Sequence, residues 1–244
     1  MNELDFTRFE ALTFDCYGTL IDWERGILTA LQPVLAPHGI DAGEDDLLER
    51  YALHEAALEA GDYLPYRDVL AGSLRRLCAE FGFSPADEDV EAFSGSVGDW
   101  PAFADTDGAL RLLGERFRLG VITNCDRDLF ALSNRRLGVT FDWISTAEDA
   151  RSYKPSLTPF EVAFAAIDVP HARILHVAQS LYHDHLPAKQ LGLATVWVDR
   201  RHDRPGFGAT PEASATPDLT VPDMRTLADI ALGAASDARQ GGGA

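Results

Sequence analysis

The chain has 244 residues, 46% of them hydrophobic, with 39 acidic against 21 basic side chains and a formal net charge of -18. That length and apolar content are enough for a substantial buried core and exclude collagen-like, disordered and small disulfide-stapled classes. A charge this negative repels phosphate backbones and anionic bilayers, so neither nucleic acid nor a membrane surface is an expected partner.

Residues 11–14 form the first short apolar run, a continuous one of the kind expected for a strand covered on both faces. From 23 to 101 strand patterns give way to helical ones over 45–60, 66–81 and 86–93, punctuated by Gly39, Gly43, Gly61, Pro65 and Pro85. Helix then alternates with strand: helix 105–117, strand 119–123, helix 128–137, strand 143–145, helix 158–167, strand 174–178, helix 183–191 and strand 193–198. A loop rich in Pro, Gly, Ala and Asp follows over 201–217, then a weaker strand over 219–221. The alternation predicts an α/β fold, a Rossmann-like doubly wound parallel sheet core of residues 1–22 and 102–236 with a helical cap subdomain of 23–101 inserted into it. Residues 237–244 are expected to be a disordered tail.

Cys16, Cys78 and Cys125 are odd in number and form no CxxC pair, which points to a reducing compartment rather than a disulfide framework or a thiolate zinc site. The opening MNELDFTRFE lacks the basic-then-apolar pattern of a signal peptide, and no run of about 18 apolar residues occurs. The expectation is a soluble cytoplasmic protein.

In an open α/β sheet, ligands bind beyond the carboxyl ends of the strands, so the residues that end each run carry the functional information. The first run ends in Asp15-Cys16-Tyr17-Gly18-Thr19, a carboxylate followed by a glycine that allows a sharp turn, suited to nucleophilic attack. The second ends in Thr123-Asn124, a hydroxyl and an amide. After the third comes Tyr153-Lys154-Pro155, and Lys154 is one of only two lysines in the chain. A cation there would hold Asp15 ionised and stabilise developing charge. The fourth ends in Gln179-Ser180-Leu181-Tyr182-His183-Asp184, which adds a second carboxylate. Each feature alone has an ordinary structural explanation, a loop threonine, a surface lysine or a helix cap; four at successive strand ends do not.

The ordered set resembles the four motifs of the haloacid dehalogenase superfamily, with Asp15 and Thr19 in the first, Thr123 in the second, Lys154 in the third and Asp184 in the fourth. The resemblance covers almost the whole chain, including a helical cap inserted between the first two motifs. It implies that phosphatases of the superfamily carry a second aspartate two residues after the nucleophile and bind magnesium with paired acids in the fourth motif. Here that second position is Tyr17, whose reference pKa of about 10 unsuits it to acid catalysis near neutrality, and Gln179 stands in place of the first fourth-motif acid. A halide leaves without a proton. The chain is therefore most similar to the type II, or L-2-haloacid, dehalogenases, which the resemblance describes as working without a metal or other cofactor.

By that resemblance, Asp15 displaces halide from a small 2-haloacid to form an ester that water hydrolyses. Lys154 and Asp184 position Asp15 and prepare the water, Thr19 supports the nucleophile, and Thr123 and Asn124 contact the substrate. Cys16, Tyr17, Ser180 and His183 complete the expected substrate-contacting set. A cap arginine near the departing halide is also implied, with Arg50 the first candidate and Arg67 the second. Departures from the family pattern fall at Phe160, Gln179 and Leu181. The competing readings are a magnesium-dependent phosphatase or phosphonate hydrolase and a non-catalytic binding protein of the same fold. A homodimer through the cap is a further expectation.

Overall fold

The computed structural model describes residues 4–240 except 205 and 207, with side chains described through 233. Six parallel strands make one sheet in the order β3-β2-β1-β4-β5-β6: β1 Ala11–Phe14, β2 Arg118–Thr123, β3 Trp143–Thr146, β4 Ile174–Ala178, β5 Ala194–Val198 and β6 Leu219–Val221. The chain winds outward from β1 in one direction through β2 and β3, returns beside β1 as β4, and winds outward again. The strand order reverses at the β1–β4 boundary, which opens a crevice at their carboxyl ends.

Alternating side chains feed two cores. Leu12 and Phe14, Leu119 and Val121, and Leu175 and Val177 face one side, whereas Ala11, Ile122 and Ile174 face the other. On the first side pack α5 (Thr106–Gly114) and α10 (Met224–Gln240), which contact each other extensively, together with α6 (Arg127–Leu137). On the second lie α8 (Thr158–Ala166), which packs on β2 and β3, and α9 (Leu186–Gln190), which packs on β5. A one-turn helix, α7 (Ala147–Ala150), follows β3 directly. Between β1 and β2 come α1 (Trp23–Leu35), α2 (Glu44–Glu59), α3 (Tyr66–Glu80) and α4 (Asp87–Gly95), with no strand among them.

These four inserted helices carry Ile27, Tyr51, Leu70, Leu74 and Phe93 into the larger core, so the insertion shares one apolar interior with one face of the sheet. Residues 201–217 hold no regular element among those described. The tail expected from residue 237 falls on the end of α10 up to residue 240, and 241–244 lie outside the described residues. Among the described residues no helix is long and apolar enough to cross a membrane.

Candidate active site

The chain leaves β1 into a tight turn in which Leu20 and Ile21 donate their N–H groups to the carbonyl of Cys16 and Gly18 donates to Ile21. Gly18 has φ +92°, a conformation that a side chain would strain, and a Cβ there would stand 3.0 Å from Trp23 Nε1. The turn brings Thr19 back beneath Asp15, where its hydroxyl donates to Asp15 Oδ2 at 2.6 Å and accepts the Gln179 N–H at 2.9 Å. One hydroxyl thereby joins the ends of β1 and β4. Arg200 supports the turn from behind by donating to the carbonyl of Thr19 while pairing with Asp105.

Lys154 follows β3 and α7 and reaches across the crevice with its side chain 1% exposed. Its ammonium donates to Asp15 Oδ1 at 2.9 Å, Asp184 Oδ1 at 2.7 Å and the Ile122 carbonyl at 2.9 Å, which satisfies all three of its protons. Asn124 clamps the Lys154 backbone from both sides, accepting its N–H at 2.8 Å and donating to its carbonyl at 3.1 Å. The Asn124 amide thus positions the lysine.

After β4, residues Leu181–His185 form a single π-helical turn where the sequence predicts the start of an α-helix. Ser180 opens the turn by accepting the N–H of His183, and its carbonyl accepts from both Asp184 and His185. The wider turn buries Asp184 and His185 together while leaving His183 on the pocket wall. His176, inside β4, completes the support: Nδ1 lies 3.0 Å from the Thr13 hydroxyl and Nε2 lies 3.1 Å from Asp184 Oδ1. Thr13 donating to Nδ1 leaves the Nε2–H to hold Asp184. Phe160 stacks edge-on against the same imidazole.

Burial lifts the Asp15 carboxyl above its ordinary range, with Lys154 opposing the rise and Asp184 adding to it. Asp184 behaves oppositely. Burial works to raise it too, but Lys154 and the His176 bond outweigh that and hold it below the usual carboxylate range. For Lys154, burial works to lower the pKa, yet the two carboxylates keep the ammonium more strongly protonated than a free lysine. Burial pushes His183 down to about 4, so it is neutral near pH 7.

The pocket above Asp15 is lined by Tyr17, Asn124, Lys154, Ser180, His183 and Asp184 of the expected set. Its free volume is about 30 Å³, room for a water or two. Cys16 and Thr123 are not on its wall: Cys16 belongs to the apolar core, and Thr123 is buried with its hydroxyl unpartnered among the described residues. Tyr17 reaches the wall, but its hydroxyl meets Ser133 at 3.0 Å and accepts from the Cys125 thiol at 3.4 Å. Burial raises that phenol well above its ordinary pKa.

Neither expected arginine reaches the site. Arg50 is half-exposed on α2 and pairs with Asp46 and Glu80. Arg67 is similarly exposed and pairs with Asp128. The expectation of a guanidinium over the leaving group is corrected on this point, because on both helices the arginine falls on the polar face. The pocket-facing side of α2 instead presents Glu55 and Glu59, with Tyr66 from α3 and Trp23 from α1. Trp23 and Tyr66 are among the cap-hinge aromatics that the sequence offers as pocket lining, whereas the two glutamates were missed, although a signal was present. Leu48, Tyr51, Ala52, Glu55 and Glu59 follow one helical stripe, and a carboxyl on a buried stripe calls for a function. Among the described residues no group of three or more His, Cys, Asp or Glu could hold a metal ion.

Comparisons with known proteins bear on the fold and the family. The chain is 26% identical over 228 residues to haloacetate dehalogenase H-2 of Moraxella sp. (strain B), a match spanning 91% of this chain and 98% of that protein. Its fold is similar to that of an L-2-haloacid dehalogenase crystal structure (TM-score 0.77, 22% identity, 92% of this chain and 99% of the other). It is equally similar to L-2-haloacid dehalogenase from Xanthobacter autotrophicus (TM-score 0.77, 17% identity, 92% and 99% covered). The family model for haloacid dehalogenase-like hydrolases matches residues 9–192, from the start of β1 to the end of α9 and across the whole Asp15–Lys154–Asp184 constellation. With that family model matching three-quarters of its length, the chain belongs to the haloacid dehalogenase-like hydrolases.

Proposed function

We propose that the chain hydrolyses the carbon–halogen bond of small 2-haloacids, such as a haloacetate, through an ester on Asp15. The observation that carries this reading is the pairing of a fully supported nucleophile with the absence of a usable acid two residues on. Asp15 has Lys154 on one oxygen and Thr19 on the other, while Tyr17 has its phenol tied to Ser133 and Cys125. A halide is the conjugate base of a strong acid and needs no proton to depart, whereas an alkoxide does. This favours carbon–halogen cleavage over phosphate-ester hydrolysis.

In the first step an Asp15 oxygen attacks the halogen-bearing carbon in line, the carbon–oxygen bond forms, and the electron pair of the carbon–halogen bond leaves as halide. Lys154 opposes the rise that burial imposes on the Asp15 carboxyl and so favours its ionised form. In the second step water attacks the Asp15 carbonyl carbon. Asp184 Oδ2 is buried and has no partner among the described residues, which leaves it free to orient that water. The acyl–oxygen bond breaks, one proton of the attacking water passing to the departing alkoxide and the other to solvent, so the product hydroxyl retains an Asp15 oxygen and the water oxygen replaces it in the carboxylate.

The test is halide release from chloro-, bromo- and fluoroacetate combined with a single turnover in ¹⁸O-water. Label is expected in the Asp15 carboxylate and absent from the first-turnover product, and Asp15→Asn is expected to release no halide. Equal halide release by wild type and Asp15→Asn, or label appearing first in the product, would overturn the reading.

A further inference from the structure

The pocket raises a question that the motifs leave open: what receives the departing halide. In-line attack sends the leaving group away from Asp15, toward the wall built by the inserted helices. Among the described residues lining the pocket, the only cation is Lys154, and all three of its protons are engaged on the opposite side. The far wall offers Glu55, Glu59 and Tyr66, and the Tyr66 hydroxyl is already given to Glu55 at 2.9 Å.

The two glutamates are four residues apart on α2, hence on one face, and are not equivalent. Glu55 Oε1 accepts two phenolic hydroxyls, from Tyr51 and Tyr66, each at 2.9 Å. Such bonds favour an acceptor, so Glu55 is the member of the pair that carries charge more readily. Glu59 has a side chain only 8% exposed and receives one long bond, from Asn124 Nδ2 at 3.4 Å. His183 Nε2 lies 3.9 Å away. Two buried carboxylates on one face repel, and the proton that relieves the repulsion belongs on the less supported member.

Resting on the dehalogenase reading, we propose that Glu59, in its protonated form, donates the hydrogen bond that receives the departing halide, taking the place of an arginine in this pocket. The step balances without proton transfer: the carbon–halogen electron pair becomes the halide lone pair, and the Glu59 O–H donates to it. The titration behaviour agrees in direction. Burial first, then Glu55, raises Glu59 well above the usual carboxyl range, against a lowering by Lys154. Glu55 is itself pushed up to about 7, by burial against its two tyrosine bonds. The groups facing Glu59 are Glu55 and Tyr51 on its own helix, Tyr66 on α3, Asn124 after β2, Tyr153 and Lys154 after α7, and His183 in the π turn, with Tyr63, Arg151 and Tyr182 across a neighbouring cavity that Glu59 also lines.

The experiment measures halide binding without turnover, through tryptophan fluorescence, since Trp23 lines the pocket. Chloride and bromide are titrated from pH 5 to 9, with acetate as a second probe. Wild-type halide affinity is expected to fall about tenfold per pH unit once Glu59 loses its proton, because only the acid form donates. Glu59→Gln, whose amide N–H donates at every pH, is expected to keep halide binding and abolish that fall. Glu59→Leu is expected to lose at least about tenfold in affinity at pH 5, with folding verified by circular dichroism. Glu55→Gln removes the neighbouring charge and shifts the fall to lower pH. Halide affinity unchanged in Glu59→Leu, a pH-dependent fall retained in Glu59→Gln, or a Glu59 dependence seen with acetate but not with halide would each overturn the proposal. Failure of the dehalogenase reading shows up separately, as an absence of halide release whatever the binding result.

Discussion

The Lys154 ammonium has three protons and three acceptors, two of which are carboxylates that would repel each other without it. Removing one partner of such a buried set leaves uncompensated charge and costs about 3–5 kcal/mol. Lys154→Met is therefore expected to destabilise the fold by about that amount in denaturant unfolding and to lower kcat by at least about a hundredfold. The activity loss follows because the Asp15 carboxyl, already raised by burial, would rise further without the lysine and leave less of the attacking carboxylate. Adding Asp184→Asn removes one of the stranded charges and should restore part of the stability but none of the activity, a non-additivity expected of residues in one network. Full additivity of the two substitutions in unfolding experiments would contradict the network. Asp15, Thr19, Lys154 and Asp184 were legible in sequence because strand ends mark them. Glu55, Glu59 and His176 were not, since a helix face and a strand interior become part of a site only through tertiary contact.

Among the elements, α3 has no side-chain cap of its own, because Pro65 precedes it. Asp126, at the end of the loop after β2, supplies the cap in trans, accepting the N–H groups of Tyr66 at 2.8 Å and Arg67 at 3.0 Å. Beside it the Tyr153 hydroxyl donates to the Leu64 carbonyl at 2.8 Å. The helix N-terminus and its dipole are thus latched to the sheet side of the pocket. With a free volume of about 30 Å³, the pocket has to open for substrate to enter, and this latch is one contact that opening breaks. Asp126→Ala is expected to cost about 1–2 kcal/mol of stability and to raise KM more than it lowers kcat, with Asp126→Asn intermediate. An unchanged KM in Asp126→Ala would remove the latch from the account.

Most strands were readable from the sequence, β1 and β4 to the residue because each is a continuous buried run; β6 is read to the residue as well, although only its Val221 is buried. α1 and α10 were harder. α1 contains Gly26 and Pro33, residues that read as breakers, yet Gly26 is held by packing: a Cβ there would stand 2.2 Å from Trp100 Cγ. The start of α9 was misread because local periodicity does not distinguish a π turn from an α-helix, and only the burial of both Asp184 and His185 requires the wider turn.

At the scale of the whole molecule, the charge of -18 opposes the approach of an anionic acid. Within the site this opposition is local, since Lys154 neutralises one unit among Asp15 and Asp184, and a protonated Glu59 adds none. At long range it persists, and its reach is the Debye length, about 30 Å at 0.01 M salt and about 8 Å at 0.15 M. A haloacetate anion diffusing toward the pocket at low salt therefore meets the repulsion of most of the chain, and at physiological salt only that of its nearest groups. The expected outcome is a kcat/KM for chloroacetate that rises several-fold over this range, with kcat unchanged because the bound complex is shielded already. Chloroacetamide, which is neutral, provides the comparison: its kcat/KM should stay flat. A fall in kcat/KM for chloroacetate with added salt would mean that cationic groups at the pocket mouth, rather than the net charge, govern capture.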